Sequence, residues 1–134
     1  MNNEIDFYTV LQSVKKSFLE ELQKYPSKSY KKEILIDNNK CYRAIFELEN
    51  CMGELIVDIP EYAPYRYVNL NVLSTYANEI STIFCWYDSK SDSLESITNK
   101  IKEGLEKAFQ YSNHITKVSS QHRVKPAFFI DKTR

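Results

Sequence analysis

The fold is decided by residues 34–59, which read ILIDNNKCYRAIFELENCMGELIVDI. Apolar and polar residues alternate along 41–49 and again along 54–59, which is the pattern of half-buried β-strands. Residues that favour turns lie between the apolar runs. Asn38-Asn39 predicts a two-residue turn, and Asn50–Gly53 predicts a type I turn. Because turns this short join neighbouring antiparallel strands, the stretch predicts successive hairpins.

The strand pattern continues on both sides of this stretch. The first turn would place Asp37 opposite Lys40, a favourable cross-strand pair. Pro60 and Pro64 bracket a stiff loop that is unable to continue a ladder of backbone hydrogen bonds. The predicted strands cover 30–36, 41–49, 54–59, 66–74 and 80–87.

A helix is predicted on each side of the strands. The first covers 4–24, where apolar residues recur at steps of three and four; an asparagine at position 2 or 3 can cap it, and Pro26 ends it. The second opens at Asp92-Ser93 and should end near 111–113. Gly104 lies inside it and marks either a close approach to the sheet or a tolerated surface glycine.

Both helical stripes need an apolar partner, and one face of the central strands supplies it. We therefore predict an α+β fold of order α-β-β-β-β-β-α, in which the N- and C-terminal helices pack on one face of a five-stranded antiparallel meander. The domain covers 1–113. A basic tail follows over 114–134, where the apolar segment 126–130 could form a short docked strand. The predicted shared core consists of Phe18, Leu22, Phe46, Val57, Leu70, Ile101 and Leu105.

Composition and charge exclude several classes of function. Eighteen basic residues balance eighteen acidic ones among 134, so bulk charge recruits neither nucleic acid nor an anionic membrane. Two glycines are too few for a glycine-rich phosphate loop. No apolar run reaches the length of a membrane span, and Met1–Asp6 lacks the regions of a signal peptide, so we expect a cytoplasmic protein. Its cysteines should be reduced thiols, with Cys41 and Cys85 buried in apolar runs and Cys51 exposed in a turn.

Residues that could carry chemistry do not form a motif. His114 and His122 are eight positions apart, without the paired spacing of metal ligands. Glu47 and Glu54 could approach each other on adjacent strands as an acid/base pair, but the pattern favours the solvated face of a sheet. The sequence therefore predicts no catalytic residue, no metal and no cofactor.

The residues suited to binding cluster in one part of the chain. Segment 44–65 contains five acidic residues and no basic one, and it ends in a proline-stiffened loop rich in tyrosine. Acidic patches attract basic partners, and Tyr and Arg are enriched at the energetic centres of interfaces. We expect a contiguous exposed patch that binds a protein with a basic surface, and leave a homodimer open. The predicted patch consists of Glu47, Glu54, Asp58, Glu61, Tyr62, Tyr65, Arg66 and Tyr67.

The helix–meander–helix order over 4–112, the small size and the acidic edge resemble the single-domain immunity proteins of bacterial toxin–immunity systems. The resemblance is architectural, so it transfers no functional residue, and the basic tail departs from it. It implies a protein that neutralises a cognate toxin by occluding its active site. Two alternatives are a secretion-chaperone-like domain and a small-molecule-binding domain or enzyme. The latter would have a pocket between sheet and helices lined by Tyr42, Phe46, Trp86 and Tyr87.

Overall fold

The chain folds as a helix, a five-stranded meander and a second helix, which confirms the predicted α+β order. The computed structural model describes residues 6–61, 64–76 and 81–122, with side chains described up to Lys117. A 3-10 turn at Ser27–Ser29 joins the first helix to the sheet. The elements are α1 (Phe7–Gln23), β1 (Lys31–Asp37), β2 (Tyr42–Glu47), β3 (Cys51–Val57), β4 (Val68–Ser74), β5 (Thr82–Tyr87) and α2 (Leu94–His122).

The sheet follows the order of the sequence, β1-β2-β3-β4-β5, and each strand is antiparallel to the next. One face packs against both helices, because alternate residues of β2, β3 and β4 are buried and join a single core with α1 and α2. All seven predicted core residues, from Phe18 to Leu105, are buried in that core. Among the described residues, no helix lies over the opposite face.

The hairpin between β2 and β3 turns earlier than predicted. The Leu48 N–H donates to the Cys51 carbonyl at 2.8 Å, so the turn does not lie at Asn50–Gly53. Gly53 is a strand residue opposite Phe46. A Cβ at this glycine would lie 2.2 Å from the Phe46 Cζ atom, so the glycine makes room for a buried ring. The glycine at position 53 thus reflects packing and not a turn, and the turn predicted at Asn50–Gly53 was wrong.

The hairpin between β1 and β2 is also displaced from its predicted position. The Asn38 N–H donates to the Cys41 carbonyl, and the Asn38 side chain accepts from the N–H groups of Lys40 and Cys41. Asp37 therefore does not lie opposite Lys40, as predicted. Its carboxylate instead pairs with the Lys15 ammonium of α1 at 2.6 Å. A side-chain turn at asparagine thus shifted the hairpin by one residue.

Both helices begin at side-chain caps. The Asp6 carboxylate accepts the Thr9 N–H at 2.7 Å and caps α1, while the caps predicted at positions 2 and 3 lie outside the described residues. At the start of α2, the Ser93 hydroxyl accepts the Ser96 N–H at 3.1 Å. Each cap satisfies a backbone donor that the first helical turn leaves unpaired.

Helix α2 is longer than its apolar stripe predicted. It continues through 114–122, the first part of the predicted tail, instead of ending near 111–113. The extension contacts the turn between β2 and β3, where the Asn50 amide donates to the Thr116 hydroxyl at 3.0 Å. This hydrogen bond ties the first turn of the extension to the sheet. The segment 126–130 lies outside the described residues.

Gly104 marks a close approach of α2 to the sheet, which was one of the two interpretations that the sequence allowed. A Cβ at this position would lie 2.5 Å from the Leu70 Cδ2 atom and 2.9 Å from the Phe84 ring. The helix therefore packs with its backbone almost against β4 and β5.

The cysteines depart from their predicted exposure. Cys51 is buried, with its thiol 3.5 Å from the Ala108 carbonyl of α2, because the strand begins where a turn was expected. Cys85 is exposed, because it lies opposite Asn71 on the face without helices. Cys41 is only partly buried. All three thiols are free.

These positions predict the order of thiol reactivity. In the folded protein near pH 8, an aromatic disulfide reagent should modify Cys85 first and Cys41 more slowly. Cys51 should react only after unfolding, since burial raises the pKa of its thiol to about 11 and keeps it protonated. Mass spectrometry of timed samples identifies the modified residue, and early labelling of Cys51 would contradict the burial.

Candidate functional site

The sheet face opposite the helices, called the open face below, is a surface over which the described residues place no helix. Strand register arranges its side chains in three rows across the sheet. The rows are Ile36–Arg43–Ile56–Asn69–Tyr87, Glu33–Ile45–Glu54–Asn71–Cys85 and Lys31–Glu47–Met52–Leu73–Thr82.

Charges on the open face are partly paired across strands. The Arg43 Nε atom lies 2.6 Å from a Glu54 carboxylate oxygen, and Glu47 lies opposite Lys31. The negative charge of segment 44–65 is therefore partly balanced on this face, because Arg43 and Lys31 lie outside that segment but join the same face. An excess of carboxylates nevertheless remains. Counting Asp58, which follows the alternation of β3, the face holds four carboxylates and two cations.

Apolar side chains lie between these charges. Ile45 and Ile56 occupy the centre of the face, beside the ion pair of Arg43 and Glu54. Met52 and Tyr87 are 37% and 48% exposed. A surface with aliphatic and aromatic side chains at its centre and charges around them is typical of a protein interface.

The predicted tyrosine loop is tied to the sheet at Tyr65. Its hydroxyl donates to an Asp58 carboxylate oxygen at 3.0 Å. Burial, with the hydrogen bond to Asp58 next in importance, raises the pKa of Tyr65 to about 12, so the hydroxyl remains a donor at neutral pH. Tyr65 and Asp58 therefore adjoin the open face. Glu61 is exposed in the same loop, and Tyr62 lies outside the described residues.

Arg66 and Tyr67 do not join this surface, contrary to the predicted patch. The Arg66 side chain is only 10% exposed and lies 4.7 Å over the Tyr67 ring, with its Nε atom 3.5 Å from an Asp88 oxygen. The Tyr67 ring packs edge-on against Phe7 of α1, with ring centroids 5.2 Å apart. The Tyr67 ring therefore turns toward α1, and the Arg66 side chain packs over that ring instead of extending onto the open face.

Asp88 is a key residue that the sequence analysis missed. One of its carboxylate oxygens accepts the backbone N–H groups of Arg66, Tyr67 and Val68 at 3.0, 2.8 and 2.9 Å. The residue is fully buried at the end of β5 and fixes the loop that enters β4. An acid directly after a predicted strand was the available signal, but its partners lie about twenty residues earlier in the chain.

The four aromatic residues predicted to line a pocket do not surround one. Tyr42 and Phe46 are buried in the core, with ring centroids 6.3 and 5.8 Å from that of Phe18. Tyr87 lies on the open face, on the other side of the sheet from Trp86. These four residues therefore do not form the pocket of the small-molecule alternative, because alternation separates neighbours in β5 and the helices fill the space above β2.

Two clefts lie on either side of β1. One, of about 420 Å³, lies toward the helices and is bounded by β1, the turn after β2 and the end of α2. The other, of about 370 Å³, lies on the open face and is lined by Lys31, Lys32, Glu33, Ile45, Phe46, Glu47 and Met52. Neither brings together polar groups that suggest a particular reaction.

Within the described ranges, no three His, Cys, Asp or Glu side chains gather as metal ligands would. His114 is exposed on α2, and the side chain of His122 lies outside the described part. Neither described helix has an apolar stretch long enough to cross a membrane.

Comparison of the chain with protein-family models, curated proteins and solved structures gave no match. The class of this protein is therefore described from its fold alone. It is an α+β domain with one face of an antiparallel sheet covered by two helices and the other face open.

Proposed function

We propose that this chain is a non-enzymatic protein-binding domain that engages a partner with a basic surface through the open face. The observation that carries the proposal is a five-stranded sheet face with exposed apolar residues, over which the described part of the chain places no helix. A monomeric domain that buries one sheet face can leave the other in water, but such a face is usually polar. The apolar centre around Ile45 and Ile56 favours a partner over solvent.

The charges on this face support a basic partner. Glu47 and Asp58 flank the apolar centre, and the Arg43 guanidinium holds Glu54 in place between them. A fixed carboxylate loses less conformational entropy on binding than a free one, which favours association. Complementary charge also accelerates the encounter of two proteins and makes its rate depend on salt.

The proposed partner class is a toxin whose active site carries basic residues, in keeping with the architectural resemblance to immunity proteins. Binding across the open face would occlude that active site without any chemistry by this chain. The free thiols suit a reducing cytoplasm, where the proposal places the protein.

A capture experiment with matched variants tests the proposal. The immobilised full chain is exposed to a lysate of its source organism, beside a Glu47→Lys/Ile56→Lys variant of the open face and a Glu20→Lys control on the exposed side of α1. We expect a basic protein that wild type and control retain and the open-face variant loses. Equal capture by all three would contradict a role for the open face, as would capture of acidic proteins only.

With the captured protein purified, the kinetics give a second prediction. Glu47→Lys should slow association about tenfold at low salt and weaken its salt dependence, because it replaces attraction by repulsion. Stopped-flow or biosensor measurements at several ionic strengths provide the test. An unchanged association rate would exclude electrostatic steering by this face.

A further inference from the structure

Strand β1 is an open edge of the sheet with an unusual sequence. All its residues are exposed, and Ile34, Leu35 and Ile36 are 37–42% exposed. Within residues 6–61, 64–76 and 81–122, no other strand pairs with its outer side. Exposed edges of this kind pair with another chain unless charges or bulges prevent it.

The register shows which backbone groups of β1 are free. The Asn38 N–H donates to the Cys41 carbonyl, so these two residues form a hydrogen-bonded pair. Hydrogen-bonded and non-hydrogen-bonded pairs alternate along an antiparallel ladder, so the backbone groups of Glu33 and Lys31 bond to β2. Lys32 and Ile34 therefore direct their N–H and C=O groups away from the sheet. The register shift at Leu35 interrupts this alternation, so new pairing is confined to residues 30–34.

A second copy of β1 fits this short edge in one antiparallel register. With the two-fold axis at Lys32, the outward groups of Lys32 meet those of its copy, and Tyr30 meets Ile34. Lys31 then lies opposite Glu33 of the other copy, twice by symmetry. These are non-hydrogen-bonded pairs, in which side chains approach most closely.

Both members of this charge pair are available. Among the described residues, neither Lys31 nor Glu33 takes part in an ion pair or a side-chain hydrogen bond, and both lie on the open face. Moving the axis to Glu33 would place the two Glu33 carboxylates opposite each other. Moving it to Ile34 would set Lys32 against Ile36, whose backbone groups point to β2. The axis at Lys32 also sets the two Lys32 ammoniums opposite each other, on the helix-bearing face. The two Lys31–Glu33 attractions outnumber this one repulsion, so charge and backbone direction together select the axis at Lys32.

Another occupant from the same chain is disfavoured by charge. The C-terminal segment 123–134 contains four basic residues and one acidic residue. It would meet Lys28, Lys31 and Lys32 along this edge. Like charges at such distances oppose pairing.

We propose that the chain forms a weak two-fold homodimer through antiparallel pairing of residues 30–34, held by two Lys31–Glu33 ion pairs between the copies. The dimer joins two sheets into one of ten strands and places the two open faces side by side. A partner with two binding sites would then be held at both. The dimer does not rest on the proposed function, since it follows from the backbone edge of β1 and from Lys31 and Glu33 at the rim of the open face.

Analytical ultracentrifugation of the full chain over about 1–500 µM tests the proposal, because a weak dimer appears as a concentration-dependent mass. We expect the wild type to dimerise. Glu33→Lys and Lys31→Glu should each raise the dimer dissociation constant about tenfold, since each turns two attractions into two repulsions. The double variant Lys31→Glu/Glu33→Lys should dimerise more tightly than either single variant, because the exchanged charges face each other again.

Ile34→Pro supplies a backbone test. Its N–H points away from β2, so proline leaves the ladder of the monomer intact and obstructs a second copy. Circular dichroism checks that each variant is folded. A wild type that stays monomeric over the whole range would overturn the proposal. So would a dimer that the single charge reversals and Ile34→Pro leave unchanged, or one that the double variant fails to restore.

Discussion

Leu105→Ala is expected to lower the free energy of unfolding by about 2–5 kcal/mol, the range for large-to-small changes in a core. Leu105 is fully buried on α2, next to the glycine at which the helix lies closest to the sheet. Because the helix backbone already lies against β4 and β5, it has little room to settle into the space that the lost carbons leave. The cavity should therefore persist, and the cost should fall in the upper part of the range.

Ile59→Ala is the matched control, because it also removes three carbons but at a side chain that is 66% exposed. Its cost should stay below about 0.5 kcal/mol, as at most surface sites. Urea unfolding followed by circular dichroism measures both values. Similar losses for the two variants would remove Leu105 from the core and contradict the packing of α2.

Asp88→Ala is expected to cost about 3–5 kcal/mol, the range for removing one partner of a buried charged network. The change would leave the N–H groups of Tyr67 and Val68 without their acceptor, while the Arg66 N–H keeps the Asp88 backbone carbonyl at 3.1 Å. It would also leave the buried Arg66 guanidinium without its counter-charge. Both effects act on the loop that enters β4.

Two variants separate these effects. Asp88→Asn keeps an oxygen acceptor but removes the charge, so its loss of stability should be smaller than that of Asp88→Ala. Asp92→Ala removes a carboxylate that accepts the Ser89 N–H and the Ser89 and Ser96 hydroxyls near the surface, where water can replace it, so it should cost less than Asp88→Ala. If Asp88→Ala cost no more than Asp92→Ala, the buried network would contribute little to the fold.

Local periodicity was sufficient to predict the architecture. Alternation in β2, β3 and β4 and the apolar stripes of the helices state directly which residues face the core, so the element order and the core were confirmed. The errors arose where one residue type serves two purposes. Gly53 resembles a turn glycine but makes room for the Phe46 ring. Because the turn was predicted at this glycine, Cys51 was also assigned to the turn, whereas it is a strand residue.

The candidate site was less predictable, because it depends on pairs that are distant in sequence. The acidic run did not reveal that Arg43 pairs with Glu54, since this contact depends on the register of β2 and β3. Asp88 follows β5 but binds the loop that precedes β4, about twenty residues earlier in the chain. Arg66 lay within the predicted patch, but its burial follows from that contact. Short-range patterns therefore predict which residues lie on the open face, and contacts between distant residues determine which of its charges are paired.

Carboxylate footprinting with the captured partner tests most directly whether the open face binds a protein. The chain is labelled with a carbodiimide and an amine, alone and in the complex, and each modified residue is quantified by mass spectrometry. We expect labelling of Glu47 to fall several-fold in the complex, while Glu20 and Glu106 on the exposed sides of the helices keep theirs. Protection of Glu20 and Glu106 with Glu47 still labelled would place the partner on the helices and contradict the account.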